Sequence, residues 1–436
     1  MELEKIYQKL QIQDMNPMQK KAYQLTETGK DIVLLSPTGS GKTLAFLFPV
    51  LRKLQSNTQG IQTLILVPAR ELALQIEQVF KSMGSEFKVT VCYGGHDKKT
   101  ELNNLIQAPS ILIGTPGRVG YHLRNGNFDP STIKTLVLDE FDKALEFGFK
   151  DEMAFIIQSL SQLDQRILTS ATNMSPIPSF TGIKDQKVIN FLKNDDVKPE
   201  IQFRKIVSIS EDKLNALFNL ICNIGDKRTL IFCNHREAVI RISELLQKKD
   251  IFHETFHGAM EQDERERALL KFRNDSVRIL ITTDLASRGL DIPEVASIVH
   301  YQLPNNEDAF IHRNGRTARM NASGFSYLML SPEESYPFLK EDIEEDPELT
   351  KKSQVPEKPS FETIYISTGK KNKVNKIDIV GFLIKKGELQ KEDIGLIEVK
   401  DTTSYVAVNR KKANALLKKL ANEKLKGQKV KMEIAY

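Results

Sequence analysis

The chain has 436 residues, 40% of them hydrophobic, and a formal net charge of +5, which suits about three domains with buried cores. No run of about 18 apolar residues occurs, so no membrane span is expected. The polar N-terminal stretch MELEKIYQKLQIQD has no apolar signal core, which makes a cytoplasmic location the expectation. The three cysteines, Cys92, Cys222 and Cys233, form no CxxC pair, and two lie in apolar runs, so reduced buried thiols are expected. Charge is uneven. Residues 361–436 hold 17 Lys/Arg against 9 Asp/Glu, a net +8 that leaves the first 360 residues at −3. A basic tail on a mildly acidic body points to a polyanion at the tail, with a solvated lysine surface as the plain alternative.

In chain order, short apolar runs alternate with helix-period stretches. DIVLLS, QTLILVP, KVTVCYGG, SILIGT, TLVLDE and RILTSAT read as strands of βαβ units around a parallel sheet. The pattern pauses at residues 181–200 and resumes with QFRKIVSI, RTLIFCN, RILITTD, ASIVHYQLP and GFSYLMLS. Two such series predict two α/β lobes, residues 1–195 and 196–340. Residues 341–360, charged and holding Pro347, Pro356 and Pro359, suit a linker. Over 361–436, TIYIST, VNKIDIVGFLIKKG, IGLIEVK, SYVAVN, RKKANALLKKLANEKLKG and VKMEIA predict the order β-α-β-β-α-β. This is a ferredoxin-like layout shared with RNA-recognition domains.

The chemistry is concentrated in three places. IVLLSPTGSGKT (32–43) is a strand running into a Gly-rich turn that opens a helix. Gly39 and Gly41 allow the tight turn, backbone N–H groups and the helix N-terminus favour phosphate, Lys42 reaches the β/γ-phosphates, and the Thr43 hydroxyl suits Mg²⁺. Ser36, Thr38 and Ser40 complete this nucleotide-binding stretch, with Ser36 at the position where the general pattern has glycine. LVLDEFD (136–142) delivers Asp139 and Glu140 at the C-terminal end of a strand, where α/β sheets place ligands. Asp139 suits the metal ion, and Glu140 the attacking water. HRNGRTAR (312–319) places Arg316 and Arg319 three apart, read as one face of a helical turn. There they would neutralise charge on the γ-phosphate, an effect worth about 10³–10⁵ in rate elsewhere.

Taken together these stretches resemble the DEAD-box RNA helicase family over roughly residues 12–330. The resemblance extends to MNPMQ with Gln19, PARELALQ, YGGH, TPGR, SAT, LIFCNH, HGAMEQDER and TTDLASRGLDIP, in family order. It implies two tandem RecA-like P-loop domains with parallel sheets, followed by a small α+β RRM-like (βαββαβ) domain, and an RNA-dependent ATPase using ATP and Mg²⁺. It also implies roles residue by residue. Gln19 reads the adenine edge, and Asp291 approaches the ribose. Arg70, Gly95, Thr115 and Arg118 contact the RNA backbone from the first lobe, and Gln262, Arg265, Thr282 and Arg288 from the second. Ser170 and Thr172 couple hydrolysis to strand separation.

Three positions depart from the family pattern. Phe141 stands where alanine is usual, which is expected to add bulk beside the nucleotide site. Asn16 stands where threonine is usual, and no aromatic residue lies at the family spacing upstream of Gln19.

The tail resembles the C-terminal domain of the DbpA group of bacterial DEAD-box proteins, through KEDIGLIEVKDTTSYVAV and the lysine-rich helix after it. Members of that group dock this domain on a hairpin of large-subunit ribosomal RNA and assist ribosome assembly. Tyr365 and Tyr405, on the two predicted central strands, are candidates to stack on bases. Lys411, with Lys370, Lys371, Lys373, Arg410 and Lys412, is a candidate phosphate contact. The expected molecule is a monomer that binds RNA and no membrane. A non-enzymatic RNA clamp is disfavoured by the presence of Glu140 and the paired arginines, and a DNA translocase by the tail.

Overall fold

The computed structural model describes residues 3–37, 39–95, 97–173, 176–192, 201–208, 213–286, 292, 295–317, 324–339, 342–346 and 354–435. Two compact units divide the chain near residue 198.

The first unit is built on seven strands: β1 (Ile32–Leu35), β2 (Thr63–Leu66), β3 (Val89–Cys92), β4 (Ile111–Gly114), β5 (Thr135–Leu138), β6 (Gln165–Ser170) and β7 (Lys187–Asn190). They pair in parallel in the order β3-β4-β2-β5-β6-β1-β7. β1, β2, β4 and β5 are buried at every position, which is why they read as unbroken apolar runs. Side chains alternate between the two faces all the same. Ile32, Leu34, Ile65, Ile113 and Val137 join one core cluster, while Val33, Leu35, Leu64, Leu112 and Leu136 join another. β7, on one edge with three of its four residues exposed, has no apolar run and escapes a sequence reading.

The second unit begins with a six-stranded parallel sheet. Its strands are β8 (Ile201–Val207), β9 (Thr229–Phe232), β10 (His253–Phe256), β11 (Ile279–Thr282), β12 (Ser297–His300) and β13 (Gly324–Leu330), in the order β10-β11-β9-β12-β13-β8. β10, a half-buried edge strand of sequence HETF, is likewise invisible to the apolar-run pattern.

The same unit continues into the predicted β-α-β-β-α-β domain. β14 (Phe361–Ile366), β15 (Ile394–Val399), β16 (Ser404–Asn409) and β19 (Met432–Ile434) form an antiparallel sheet in the order β15-β16-β14-β19. The helix Lys376–Lys385 starts at a capping box in which Asn375 and Asp378 exchange side-chain and backbone bonds. The second helix is shorter than its lysine-rich run implies and ends at Leu420. Beyond it β17 (Lys424–Leu425) and β18 (Gln428–Lys429) form a hairpin. Its turn residues Lys426 and Gly427 have φ of 50° and 78°, a left-handed pair that no helix accommodates.

Alternation decides what each face of this sheet meets. Ile364, Ile366, Val406 and Val408 point to the domain's own helices. Tyr365 and Tyr405, paired across β14 and β16, point the other way, where they cluster with Ala435 and with Leu270 of the second lobe. On the same face Thr363 Oγ1 donates to Ser276 Oγ at 2.7 Å and accepts from Asn274 Nδ2 at 2.8 Å. Arg410 donates to the carbonyls of Pro359 (2.7 Å), Phe361 (2.7 Å) and Ser276 (2.9 Å), and it pairs with Glu362. Lys400 pairs with Glu266. The RRM-like sheet is thus packed against the second lobe.

Candidate active site and RNA-facing residues

The phosphate loop leaves β1 beside β6, with the Ser36 N–H donating to the Ser170 carbonyl at 3.1 Å. Lys42 opens the helix Lys42–Lys53, is 8% exposed, and turns its ammonium back onto the carbonyls of Ser36 (2.7 Å) and Pro37 (3.3 Å). Ser36 Oγ donates to Ser40 Oγ at 2.6 Å, and Ser40 Oγ to the Pro37 carbonyl at 2.8 Å. These bonds close the turn. Gly39 and Gly41 have φ of 82° and 90°. At Gly41 a Cβ would sit 2.6 Å from Gln19 Nε2, the end of a flexible side chain, so it is the left-handed backbone that calls for glycine there.

Gln19 and Asn16 form a capping box on the helix Pro17–Leu25. Their amides reach the loop: Gln19 Nε2 donates to the Gly41 carbonyl at 3.2 Å and Asn16 Nδ2 to the Ser40 carbonyl at 3.0 Å. Asn16 in place of threonine therefore supplies a bond to the loop as well as the cap. Thr43 follows Lys42 in the helix and is half-buried. Tyr7 packs edge-on against Phe48, ring centroids 5.9 Å apart. Thr38 lies outside the described residues.

Asp139 and Glu140 follow β5 directly and are 4% and 7% exposed. Burial pushes the Asp139 carboxyl above its ordinary value, against the opposing pull of a Thr169 hydrogen bond and of the Lys42 charge. Thr169 Oγ1 donates to Asp139 Oδ1 and accepts the Glu140 N–H at 3.2 Å, so one hydroxyl of β6 holds the Asp139 carboxylate and the Glu140 backbone. Sequence reasoning stopped at SAT and missed Thr169, one residue earlier. Glu140 caps the helix Phe141–Glu146 with φ 48° and ψ 49°. A left-handed non-glycine residue costs about 1–3 kcal/mol and is characteristic of functional positions. Phe141 corrects an expectation: its ring is fully buried in the core, 6.0 Å from Phe180, so its bulk fills the interior. Ser170 and Thr172 bond each other, with Ser170 Oγ donating to the Thr172 carbonyl at 2.8 Å, and Thr172 Oγ1 donates to Asp142 Oδ2 at 3.0 Å. SAT is thereby joined to the DEFD acids.

The motifs expected to face RNA from the first lobe lie around the ends of β2, β3 and β4. Arg70 Nε sits 3.2 Å from Glu71 Oε1. Gly95 has φ 89°, and a Cβ there would lie 2.8 Å from Arg70 Nη1. Thr115 caps the helix Pro116–Arg124 and donates its N–H to the Cys92 carbonyl at 3.1 Å. Arg118 Nη1 lies 3.1 Å from Glu101 Oε2.

In the second lobe, Gln262 opens the helix Gln262–Arg273 and donates to Glu266 Oε1 at 2.9 Å, while Arg265 is buried. Thr282 is fully buried, its hydroxyl engaged by the carbonyls of Phe256 (2.8 Å) and Thr283 (2.9 Å). A backbone contact to RNA from this motif fits Thr283, the half-exposed neighbour, better. Arg288, Asp291 and Arg319 lie outside the described residues.

Arg316 departs from expectation. The helix Glu307–Asn314 ends with Gly315, so Arg316 lies in the turn beyond it, with its carbonyl accepting the Val295 N–H at 3.2 Å. Arg313, which sequence reasoning passed over, ties three motifs together. It is fully buried and donates to Asp284 Oδ1 (2.6 Å), Asn234 Oδ1 (2.8 Å) and the Gln302 carbonyl (2.7 Å).

In the C-terminal domain Lys411 is exposed in the first turn of the helix Arg410–Leu420. Tyr405 is 8% exposed and stands T-shaped to Tyr365, ring centroids 5.6 Å apart. The expected base-stacking surface is instead packed against Leu270, because the second lobe covers that side of the sheet. Arg410, expected on phosphate, serves as a clamp between carbonyls.

A strand–GSGKT–helix turn with acids at the end of a neighbouring strand, followed by a second parallel-sheet lobe, defines a P-loop ATPase with tandem RecA-like domains. The chain belongs to the DEAD-box ATP-dependent RNA helicase family. The DEAD/DEAH box helicase profile matches residues 16–177, the helicase conserved C-terminal domain residues 212–321, and the DbpA RNA binding domain residues 363–434. The chain is 30% identical over 430 residues to the ATP-dependent RNA helicase DbpA of Escherichia coli (strain K12), covering 96% of this chain and 94% of that relative. It is 35% identical over 312 residues to eukaryotic initiation factor 4A of Caenorhabditis elegans, covering 70% of this chain and 78% of the relative. Among solved structures it resembles S. cerevisiae Dbp5 bound to RNA and ADP BeF3, with TM-score 0.68 and 27% identity over 76% of this chain and 86% of that one. The protein is an ATP-dependent RNA helicase, an RNA-stimulated ATPase with a DbpA-type RNA-binding domain.

Proposed function

We propose that this helicase remodels short duplexes of large-subunit ribosomal RNA during ribosome assembly, directed there by residues 361–436. The observation that carries this reading is the match to the E. coli DbpA helicase along 96% of the chain, basic tail included. The net charge of +8 in that tail suits a polyanion.

At the nucleotide site Lys42 holds the β/γ-phosphates and Glu140 orients the attacking water. Arg316 and Arg319 offset charge on the γ-phosphate. Thr43 and Asp139 are hard oxygen donors of the kind Mg²⁺ takes, and they would hold it. The metal would supply charge neutralisation between the phosphates. Arg70, Gly95, Thr115 and Arg118, with Gln262, Arg265, the Thr282–Thr283 pair and Arg288, grip the RNA backbone without reading sequence. The working species is a cytoplasmic monomer.

Lys42→Ala, Glu140→Gln and Arg319→Ala are each expected to abolish RNA-stimulated ATP hydrolysis. Full activity of Arg319→Ala would overturn the arginine assignment. Crosslinking the protein to RNA in cells tests the target: enrichment of large-subunit ribosomal RNA supports it, and enrichment of other RNA removes it.

A further inference from the structure

Glu101 lies one turn into the helix Lys98–Ile106 and is fully buried. A buried carboxylate is costly unless every lone pair has a partner. Its partners come from the two RNA-facing motifs of the first lobe. Oε1 accepts the Tyr93 N–H at 3.0 Å, at the start of YGGH. Oε2 lies 3.1 Å from Arg118 Nη1, the arginine of TPGR, and 2.8 Å from His122 Nε2, one turn further along the same helix. Asn127 Nδ2 lies 3.0 Å from His122 Nδ1 and donates to it, which leaves the ring proton on Nε2, aimed at Glu101. Cys92, Glu101 and His122 offer donor atoms within 4.8 Å of one another, a set that by type alone suits a metal. The guanidinium and the imidazole N–H already on the carboxylate decide against that reading, since a cation would have to displace both.

We propose that Glu101 is a positioning residue for RNA binding. It acts through Arg118 and the Tyr93–Gly95 backbone, holding the YGGH loop and the TPGR helix start in one register. The proposal rests on the reading of Arg118 as an RNA contact. One carboxylate serves both motifs, so the loops are set together rather than each by its own local bonds. Glutamine is a poor substitute: it keeps one acceptor, but its amide nitrogen would face either the Tyr93 N–H or both the guanidinium and the imidazole N–H.

The test measures ATP hydrolysis against concentration of a single-stranded oligoribonucleotide for Glu101→Gln, Arg118→Ala and the double variant. The expected result is an increase of about tenfold in the half-saturating RNA concentration for E101Q. RNA-independent hydrolysis, the KM for ATP and kcat at saturating RNA should stay near wild type. The double variant should lose less RNA affinity than the sum of the two single losses, since the part of the Glu101 effect that runs through Arg118 is already gone in R118A. Unchanged half-saturation for E101Q beside a weakened R118A would overturn the role of Glu101. An unchanged R118A would overturn the reading of Arg118 itself. Fully additive losses in the double variant would also remove the proposed route through Arg118. If E101Q does not fold, Glu101→Asp keeps the charge but is one methylene short of serving both loops. It should show the same rise in half-saturating RNA, and wild-type affinity in E101D would sink the idea.

Discussion

At the scale of single residues, the acids of the hydrolytic site are set by a hydroxyl. Thr169 donates to Asp139 and accepts from the Glu140 backbone, so the Asp139 carboxylate and the Glu140 main chain are both held from β6. Replacing Thr169 with valine keeps the shape and removes both bonds. The expected loss is about 10–100-fold in kcat of RNA-stimulated hydrolysis, the range usual for groups that orient a metal-binding or catalytic acid. RNA affinity should be unchanged, which a fluorescence titration would check.

His300 gives a second residue-level expectation. It is buried at the end of β12, its Nε2 3.2 Å from Asn314 Oδ1, and burial with the nearby Arg313 charge pushes its imidazole down to about 3. In the unfolded chain the ring titrates near 6.5. Between those values the unfolded state holds a proton that the folded state does not, so stability is intact above pH 6.5 and falls as pH drops toward 3. The slope is about 1.4 kcal/mol per pH unit for one proton. Denaturant melts at pH 7 and pH 5 should show a smaller loss for His300→Gln than for wild type. Equal losses would mean that another group carries the dependence.

At the scale of elements, the parts legible in the sequence were those built from contiguous residues. The phosphate loop, the DEFD strand end and the β-α-β-β-α-β order each depend on neighbours in the chain, and each stands where periodicity and motif spacing put it. Two kinds of feature were not legible. Edge strands β7 and β10 carry too few apolar residues to register as strands, because each has only one neighbour to pack against. Tyr365 and Tyr405 were expected on the two central strands, where they stand, but strand position says nothing about what lies across their face. Arg316 shows a third failure: spacing of three suggested a helical turn, but the helix stops at Asn314 with Gly315 as its cap.

The packing of the RRM-like sheet on the second lobe makes an element-level prediction. Tyr405→Ala should lower the stability of the unit by about 3–5 kcal/mol, the usual cost of a large buried aromatic. Asn274→Ala, which removes the bond to Thr363 and the acceptor of the Ser276 N–H, should cost about 1–3 kcal/mol by leaving buried polar groups poorly served. Thermal unfolding of the full chain measures both, and a Tyr405→Ala melt identical to wild type would contradict the packed interface.

At the scale of the whole molecule, the motor motifs and the RNA-binding domain occupy different parts of the chain, so their contributions can be separated. Deleting residues 355–436 should preserve hydrolysis stimulated by generic RNA while weakening binding to the preferred RNA more than tenfold, about 1.4 kcal/mol or more. Unchanged affinity would remove the targeting role from the tail. The same deletion uncovers Leu270 and Asn274, so the truncated protein should also aggregate more readily, as light scattering would show.

The covered tyrosine face also limits how portable the tail is. Grafted onto a motor without counterparts of Leu270, Asn274 and Ser276, it would present two edge-on phenols and an unmatched threonine to water. A working chimera therefore has to inherit the seat along with the passenger.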